Sequence, residues 1–476
     1  MPEHVMNRLP LTRNHLEAMK LPLKTSLTAI DNGMQSVKLG FDILSDIQDM
    51  GIRLTQRITS LPGAKALKPV GRLAAAQQQG VKTTTDIFEK MLLTGFGQMH
   101  RERSGELEFI KLFTDPQDRQ DWTVAYDDSD VVQDLPSLRV IDISTPGPHQ
   151  IANTTVVFAP RAGHHSNIAE RVALYLRDQG LTRMVVVEQK CADDIPTVFA
   201  GKRNIEDFNG QVAQYEQVLQ FLKRRTGFPP HLVAICQPGP LLIATLIKNP
   251  DLGRTFGSAG APMDTEGERG FLTDFARFVG EKYIERILAV FGRNVSTQGE
   301  SNRCNIYDGA AQVMGFYYLG MDQHARNLKK LLADLKMGNR ESADRQKTFY
   351  GWYNSVHHFP ACFIRDTFQK IFIRNELIRG HLKIGGQTLR IQDYPGSVPI
   401  WALGGKSDAI APPLQATGHL DYISSVPTAN RLKLTCDGGH MALFRSSKVL
   451  ENYYTQIARF VLIHSDPDSS LRKKGR

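Results

Sequence analysis

Three residues in this chain have types and settings suited to shared chemistry. Cys236 stands in HLVAICQPGPLLIATLI, at the point where an apolar, partly β-branched run ends. Gln237, Pro238, Gly239 and Pro240 follow, and then a second apolar run begins at Leu241. Asp408 stands in GGKSDAIAPP and His440 in CDGGHMALF, each in a short loop after an apolar run. A thiol becomes a strong nucleophile when a base takes its proton. An imidazole serves as that base, and a carboxylate orients the imidazole and stabilises its charged form.

The setting of Cys236 reads as strand His231 to Ile235, a sharp turn, and a helix from Leu241 to Ile247. Such a turn presents a nucleophile at the carboxyl end of a sheet, and it aims the next backbone N–H, that of Gln237, at a developing oxyanion. The usual motif has glycines two positions either side of the nucleophile. Here those positions hold Ala234, which is small, and Pro238, which suits the first turn of a helix. Taken alone, a cysteine at such a place also reads as a small buried core residue. Asp408 and His440 change that, because nucleophile, acid and histidine following successive strands is the chain order of α/β-hydrolases.

Other polar residues compete for these roles. Asp264, after the run ending at Ala261, is an alternative acid; Asp437 is too near His440 in sequence to be preferred. His164 and His165 in FAPRAGHH are adjacent and have no carboxylate spacing to support a metal. Their loop instead suits a second oxyanion donor, for which the backbone N–H of Arg161 is the candidate. His357, His358 and His419 read as surface or cap residues. No metal is expected at the pair His164 and His165.

The elements that must position these residues follow from periodicity. Thr154 to Pro160, Met184 to Val187, His231 to Ile235, Phe256 to Ala261, Pro399 to Leu403 and Leu432 to Leu434 read as buried strands. Between them, Ile168, Val172 and Leu176 share one helix face, as do Phe208, Val212, Tyr215, Leu219 and Leu222. Leu450, Tyr453, Ile457 and Phe460 mark a terminal helix. This alternation predicts an α/β class with a mostly parallel sheet and helices on both faces. Residues 1–130 form a helical N-terminal region, with Phe41, Leu44, Ile47, Leu54 and Ile58 on one stripe ended by Pro62 and Gly63, and a second apolar run from Ile87 to Phe96. Residues 131–264 are the first part of the core, 265–385 an aromatic-rich helical insertion read as a cap, and 386–476 the second part with a basic tail. The stripe from Phe41 either docks on the hydrolase body or lies on an apolar surface.

Composition sets the boundaries. The 476 residues are 41% hydrophobic and 22% charged, as in an ordinary globular protein. No signal segment opens the sequence and no run approaches a membrane span, so a cytoplasmic protein is expected. The five cysteines are unpaired by spacing, which argues against a disulfide framework or a zinc site. The net charge of +9 is most concentrated in the tail Arg472 to Arg476, without a nucleic-acid-binding motif, and reads as solvated surface.

Several stretches resemble the intracellular polyhydroxyalkanoate (poly-3-hydroxybutyrate) depolymerase family: FAPRAGHH, AICQP, GAPMDT, YDGAAQVMGF, FYGWYNSVHHFPACFIRDTFQKIF, GHLKIGGQTL, GGKSDAI and GGHMALFRSSKV. The resemblance runs in order from about residue 150 to about residue 463. It implies Cys236 as the nucleophile on a polymer ester, His440 as base and then acid, Asp408 as its partner, and a thioester intermediate resolved by water. It also implies a storage-polyester granule as partner, hydroxyacid oligomers and monomers as products, and no need for a metal or organic cofactor. A thiol-dependent esterase or acyltransferase for a small soluble ester, and a catalytically silent granule-binding protein, are the alternative readings.

Overall fold

The structure is a computed structural model of the 476-residue chain. It describes residues 13–59, 68–114, 124, 126–162, 167–293, 306–319, 321–354 and 357–468. Pro62, Gly63, His164, His165, Cys304, the side chain of Ile58 and the basic tail lie outside the described residues. The chain forms two compact units: Met1–Gln117 with Gly320–Gly351, and Asp118–Leu319 with Trp352–Arg476.

The second unit is built on an eight-stranded sheet. Its strands are β1 (Val131–Asp134), β2 (Leu138–Asp142), β3 (Thr155–Phe158), β4 (Met184–Gln189), β5 (His231–Ile235), β6 (Thr255–Ala259), β7 (Ile400–Gly405) and β8 (Arg431–Cys436). They lie in the order β1-β2-β4-β3-β5-β6-β7-β8. β1 pairs antiparallel with β2, and β2 with β4. From β4 to β8 every pairing is parallel. TVVF, MVVVEQ and HLVAI are buried at every position, as strands covered on both faces must be. This is an α/β-hydrolase sheet, with the expected parallel strands in place.

β1 and β2 were not among the expected strands. Their sequences, VVQD and LRVID, interrupt the apolar residues with polar and charged ones, so neither leaves an apolar run to detect. The crossover helices fall where their stripes place them. Helix Phe208–Thr226 begins at Asp207, whose carboxylate accepts from the N–H of Gly210, and ends at Gly227 with φ +79°. Helix Pro238–Lys248 is buried along nearly its whole length. Trp401 of β7 lies beside Gly257 of β6 and occupies the space that a side chain there would need. Trp401 is fully buried, and truncating such a ring to Ala costs about 3–5 kcal/mol.

Between β6 and β7 the chain is mainly helical, as the aromatic-rich insertion suggests. Helices Phe271–Phe291, Gly309–Leu319 and Ala361–Asp366 belong to the unit that carries the sheet. Met321–Met337 instead falls in the unit of the N-terminal helices, a division that composition did not reveal. In that unit, helices Arg13–Thr59 and Lys68–Thr114 run alongside each other, and the second packs on Met321–Met337. Gly105 permits this approach: a Cβ there would lie 2.7 Å from the backbone of Leu335. Glu106 pairs with Lys336 at 2.8 Å, and Glu108 with Arg340 at 2.6 Å and Lys347 at 2.5 Å.

Candidate active site

β5 ends at Cys236, which has φ +60°, a left-handed conformation that costs a residue with a Cβ. The surrounding contacts hold it there. Its N–H donates to the carbonyl of Ala259 at 2.9 Å, and its carbonyl accepts from Gly239 at 3.2 Å. The close approach falls at Gly239, where a Cβ would sit 2.6 Å from that of Ala261 and 2.9 Å from Met263 Sδ. The bare position is therefore three residues after the nucleophile candidate, and Pro238 stands where the usual glycine would.

β7 runs into the loop of Asp408 and β8 into the loop of His440. His440 Nδ1 lies 2.8 Å from Asp408 Oδ2. The other carboxylate oxygen accepts from the N–H groups of Ile410 and Ala411 at 2.8 and 2.9 Å, which fixes its orientation. Burial works to lower the pKa of His440, but the charges of Asp408 and Cys236, and hydrogen bonds to both, raise it well above the ordinary value. The imidazole thus pairs with the carboxylate and shares a cavity wall with the thiol. Gly260, with φ +58°, lets the ring fit: a Cβ there would be 3.1 Å from His440 Cε1. Phe444 packs edge-on to the ring at 5.4 Å.

Cys236, His440 and Asp408 are brought together; the alternative acids are engaged elsewhere. Asp264 is buried, and its Oδ1 accepts from Asn375 Nδ2 at 2.9 Å and from the N–H of Glu266 at 3.1 Å. Asp437 is exposed and pairs with Lys406 at 2.7 Å. His358 lies between Asp308 and Asp193, at 3.4 and 3.7 Å, and His357 is buried in the insertion. His419 is neither surface nor cap. It is fully buried in the turn Gly418–Tyr422 after β7, and burial pushes its pKa down to about 3.

The expected oxyanion donors have a more specific arrangement than the sequence suggests. The Arg161 N–H donates to the side-chain Oε1 of Gln237 at 2.9 Å, and the Ala162 N–H donates to the same oxygen at 3.2 Å. The Arg161 guanidinium is buried away from that loop. Its Nη2 donates to Gln211 at 2.7 Å and lies 3.5 Å from Glu206, and the group stacks over Phe363 at 5.2 Å. Burial lowers its pKa against the opposing pull of Glu206. Glu206 and Gln211 had no motif to mark them.

Cys236, Gln237 and His440 line a largely apolar cavity. The insertion supplies apolar wall from Leu272, Val313, Phe368 and Phe372. Trp352 also lines it, beneath the guanidinium of Arg445 at 5.7 Å. Among the described residues no group of three or more His, Cys, Asp or Glu side chains is placed to hold a metal ion.

Residues 260–465 match the family model described as PHB de-polymerase C-terminus. This segment is similar to the C-terminal domain of that family. The matched segment holds Asp408 and His440, whereas Cys236 precedes it. A comparison with curated proteins finds no match. Among solved structures, the chain is similar to a monoacylglycerol lipase from Paleococcus ferrophilus, with 15% identity and TM-score 0.38, covering 69% of this chain and 99% of that one. It is also similar to a soluble variant of the monoglyceride lipase from Saccharomyces cerevisiae, with 11% identity and TM-score 0.41, covering 69% and 92%. The thioesterase domain from the curacin biosynthetic pathway is similar at 14% identity and TM-score 0.36, covering 68% and 95%. Upstream of the matched segment, the elbow at Cys236 and the loop at Arg161 complete the cavity wall.

Proposed function

We propose that this carboxylic ester hydrolase cleaves the ester bonds of poly(3-hydroxybutyrate) or a related polyhydroxyalkanoate storage polyester, releasing hydroxyacid oligomers and monomers. The observation that carries the reading is the His440–Asp408 hydrogen bond with Cys236 and His440 on the wall of one largely apolar cavity. A polyester of short hydroxyacids presents ester carbonyls on an apolar backbone, and such a cavity accepts it without charged partners.

His440 takes the thiol proton as Sγ attacks the ester carbonyl carbon. The carbonyl electron pair moves onto oxygen, facing the Gln237 N–H at the opening of helix Pro238–Lys248. When the intermediate collapses, the C–O bond breaks and His440 returns the proton to the leaving alkoxide. His440 then takes a proton from water as that water attacks the thioester, and the acid departs with Cys236 regenerated. Asp408 keeps Nε2 directed at sulfur and stabilises the imidazolium throughout.

The exposed side chains of the N-terminal helices favour attachment to an insoluble substrate. Leu44, Ile47 and Leu54 of the predicted stripe are 46%, 60% and 60% exposed, and Ile87, Phe88 and Met91 of the next helix are also exposed. No helix among the described residues is long and apolar enough to cross a membrane. Apolar helix faces of this kind suit adsorption to a granule. The test is incubation of purified protein with native amorphous granules and, in parallel, with short soluble esters. Release of 3-hydroxyacids from granules is expected, and turnover of short esters alone would move the reading to a small-molecule esterase.

A further inference from the structure

The residue after the nucleophile does more in this structure than supply a backbone N–H. Helix Pro238–Lys248 opens with Pro238, Gly239 and Pro240. A helix end normally offers several unpaired N–H groups, but the two prolines have none, and the Gly239 N–H is taken by the carbonyl of Cys236. Of these first positions, only the Gln237 N–H is left to face an oxyanion. The second donor must come from the loop after β3, through Arg161 or Ala162. Both of those N–H groups already donate to Gln237 Oε1, at 2.9 and 3.2 Å. Two backbone donors also fix which end of the amide is the oxygen.

The carboxamide oxygen thus occupies the loop N–H groups that a bound ester carbonyl would need. Resting on the ester-hydrolysis reading above, we propose that the Gln237 side chain is a built-in plug of the oxyanion hole. Substrate must displace it before Cys236 can attack. One oxygen position cannot hold both the amide and the ester carbonyl, so Gln237 Oε1 has to leave the loop as the substrate carbonyl arrives. There is space for this, because Gln237 is half-buried and lines the open cavity. The closed form excludes water from the donors and lowers apparent substrate affinity by the fraction of molecules that are open. Two amide hydrogen bonds favour the closed form by roughly tenfold, and that ratio is the cost a substrate meets on entry.

The test uses the full chain and a p-nitrophenyl ester of a short acid. Gln237→Met keeps length and removes the acceptor, so KM should fall roughly three- to tenfold while kcat changes less than twofold. Gln237→Glu places a charged acceptor on the same two donors, and kcat/KM should fall at least tenfold. A Met variant with unchanged KM, or with kcat reduced tenfold, would overturn the plug.

A crystal structure of the wild type with a short trifluoromethyl ketone tests the same point without a variant. Sγ adds to the ketone carbon, the thiol proton passes to His440, and the carbonyl pair becomes an oxyanion. That oxygen should meet the Gln237 N–H and a loop N–H, with Gln237 Oε1 displaced from the loop. Oε1 remaining within hydrogen-bond distance of Arg161 N and Ala162 N in the adduct would refute the proposal. Wild type that cleaves the soluble ester but leaves granules intact would sink the polyester reading alone, and the variant series would still decide the plug.

Discussion

The two units of this protein place their apolar residues in opposite ways. In the sheet-bearing unit one continuous core runs from Leu135 to Val426, and strands β3 to β7 are buried throughout. In the helical unit a small cluster of Leu23, Leu107 and Ile110 joins the two long helices, while Ile43, Leu44, Ile47, Met50 and Leu54 stand exposed. The first arrangement holds a geometry. It maintains a cysteine at φ +60° and an imidazole held against a buried carboxylate, which only dense packing can sustain. The second presents a surface, and its cohesion draws on ion pairs such as Lys82–Asp49 at 2.7 Å, each worth little when exposed. If this division is functional, damage to the core should stop chemistry, and damage to the helix faces should stop only access to an insoluble substrate.

The largest effect is expected at Asp408. Asp408→Asn should lower kcat on a soluble ester roughly a thousandfold or more with melting temperature little changed, because the amide favours the wrong imidazole tautomer. Asp264→Asn should lower kcat less than tenfold, since its partners are Asn375 and Glu266 rather than His440. Steady-state kinetics on the two variants decides the ranking, and the reverse order would move the acid to the loop after β6.

A smaller effect is expected on the helical unit. The triple change Leu44→Ser, Ile47→Ser, Leu54→Ser should weaken co-sedimentation with native granules about tenfold, with soluble-ester kinetics unchanged. Equal loss of both activities would mean that these side chains serve folding instead.

The smallest effect concerns acid stability. Burial lowers His231 and His419 to about 3 in the folded protein, against an ordinary value of 6.5. Between those values the unfolded chain binds the protons, so stability falls as pH drops, by about 1.4 kcal/mol per unit for each histidine. His440 has the opposite sign: its raised folded value adds stability below pH 6.5, which is lost as pH rises through that value. Urea titrations at pH 7 and pH 5 should therefore show His419→Leu losing roughly 2 kcal/mol less than wild type on acidification. Equal losses would place the acid sensitivity elsewhere.

The sequence disclosed what local pattern can carry. Runs such as MVVV and HLVAI mark buried parallel strands, and the turns after three of the expected strands mark Cys236, Asp408 and His440 in chain order. It hid what depends on contacts between distant segments. Gly239 and Gly260 matter because Ala261 and His440 pass close to them, and no turn signature reports that. The bond from Arg161 N–H to the Gln237 side chain joins residues 76 positions apart. β1 and β2 break their apolar residues with polar ones, and His419 looks like a surface residue until the turn buries it.

The most direct test of the central claim is to trap the intermediate. Wild-type protein mixed with native granules, quenched in acid within the first turnovers and digested, should yield a hydroxyacyl thioester on the peptide carrying Cys236. Cys236→Ala should yield no adduct and release no acid while still sedimenting with granules. Granule hydrolysis by the alanine variant at a rate near that of wild type, or an acyl group on another residue, would contradict the account.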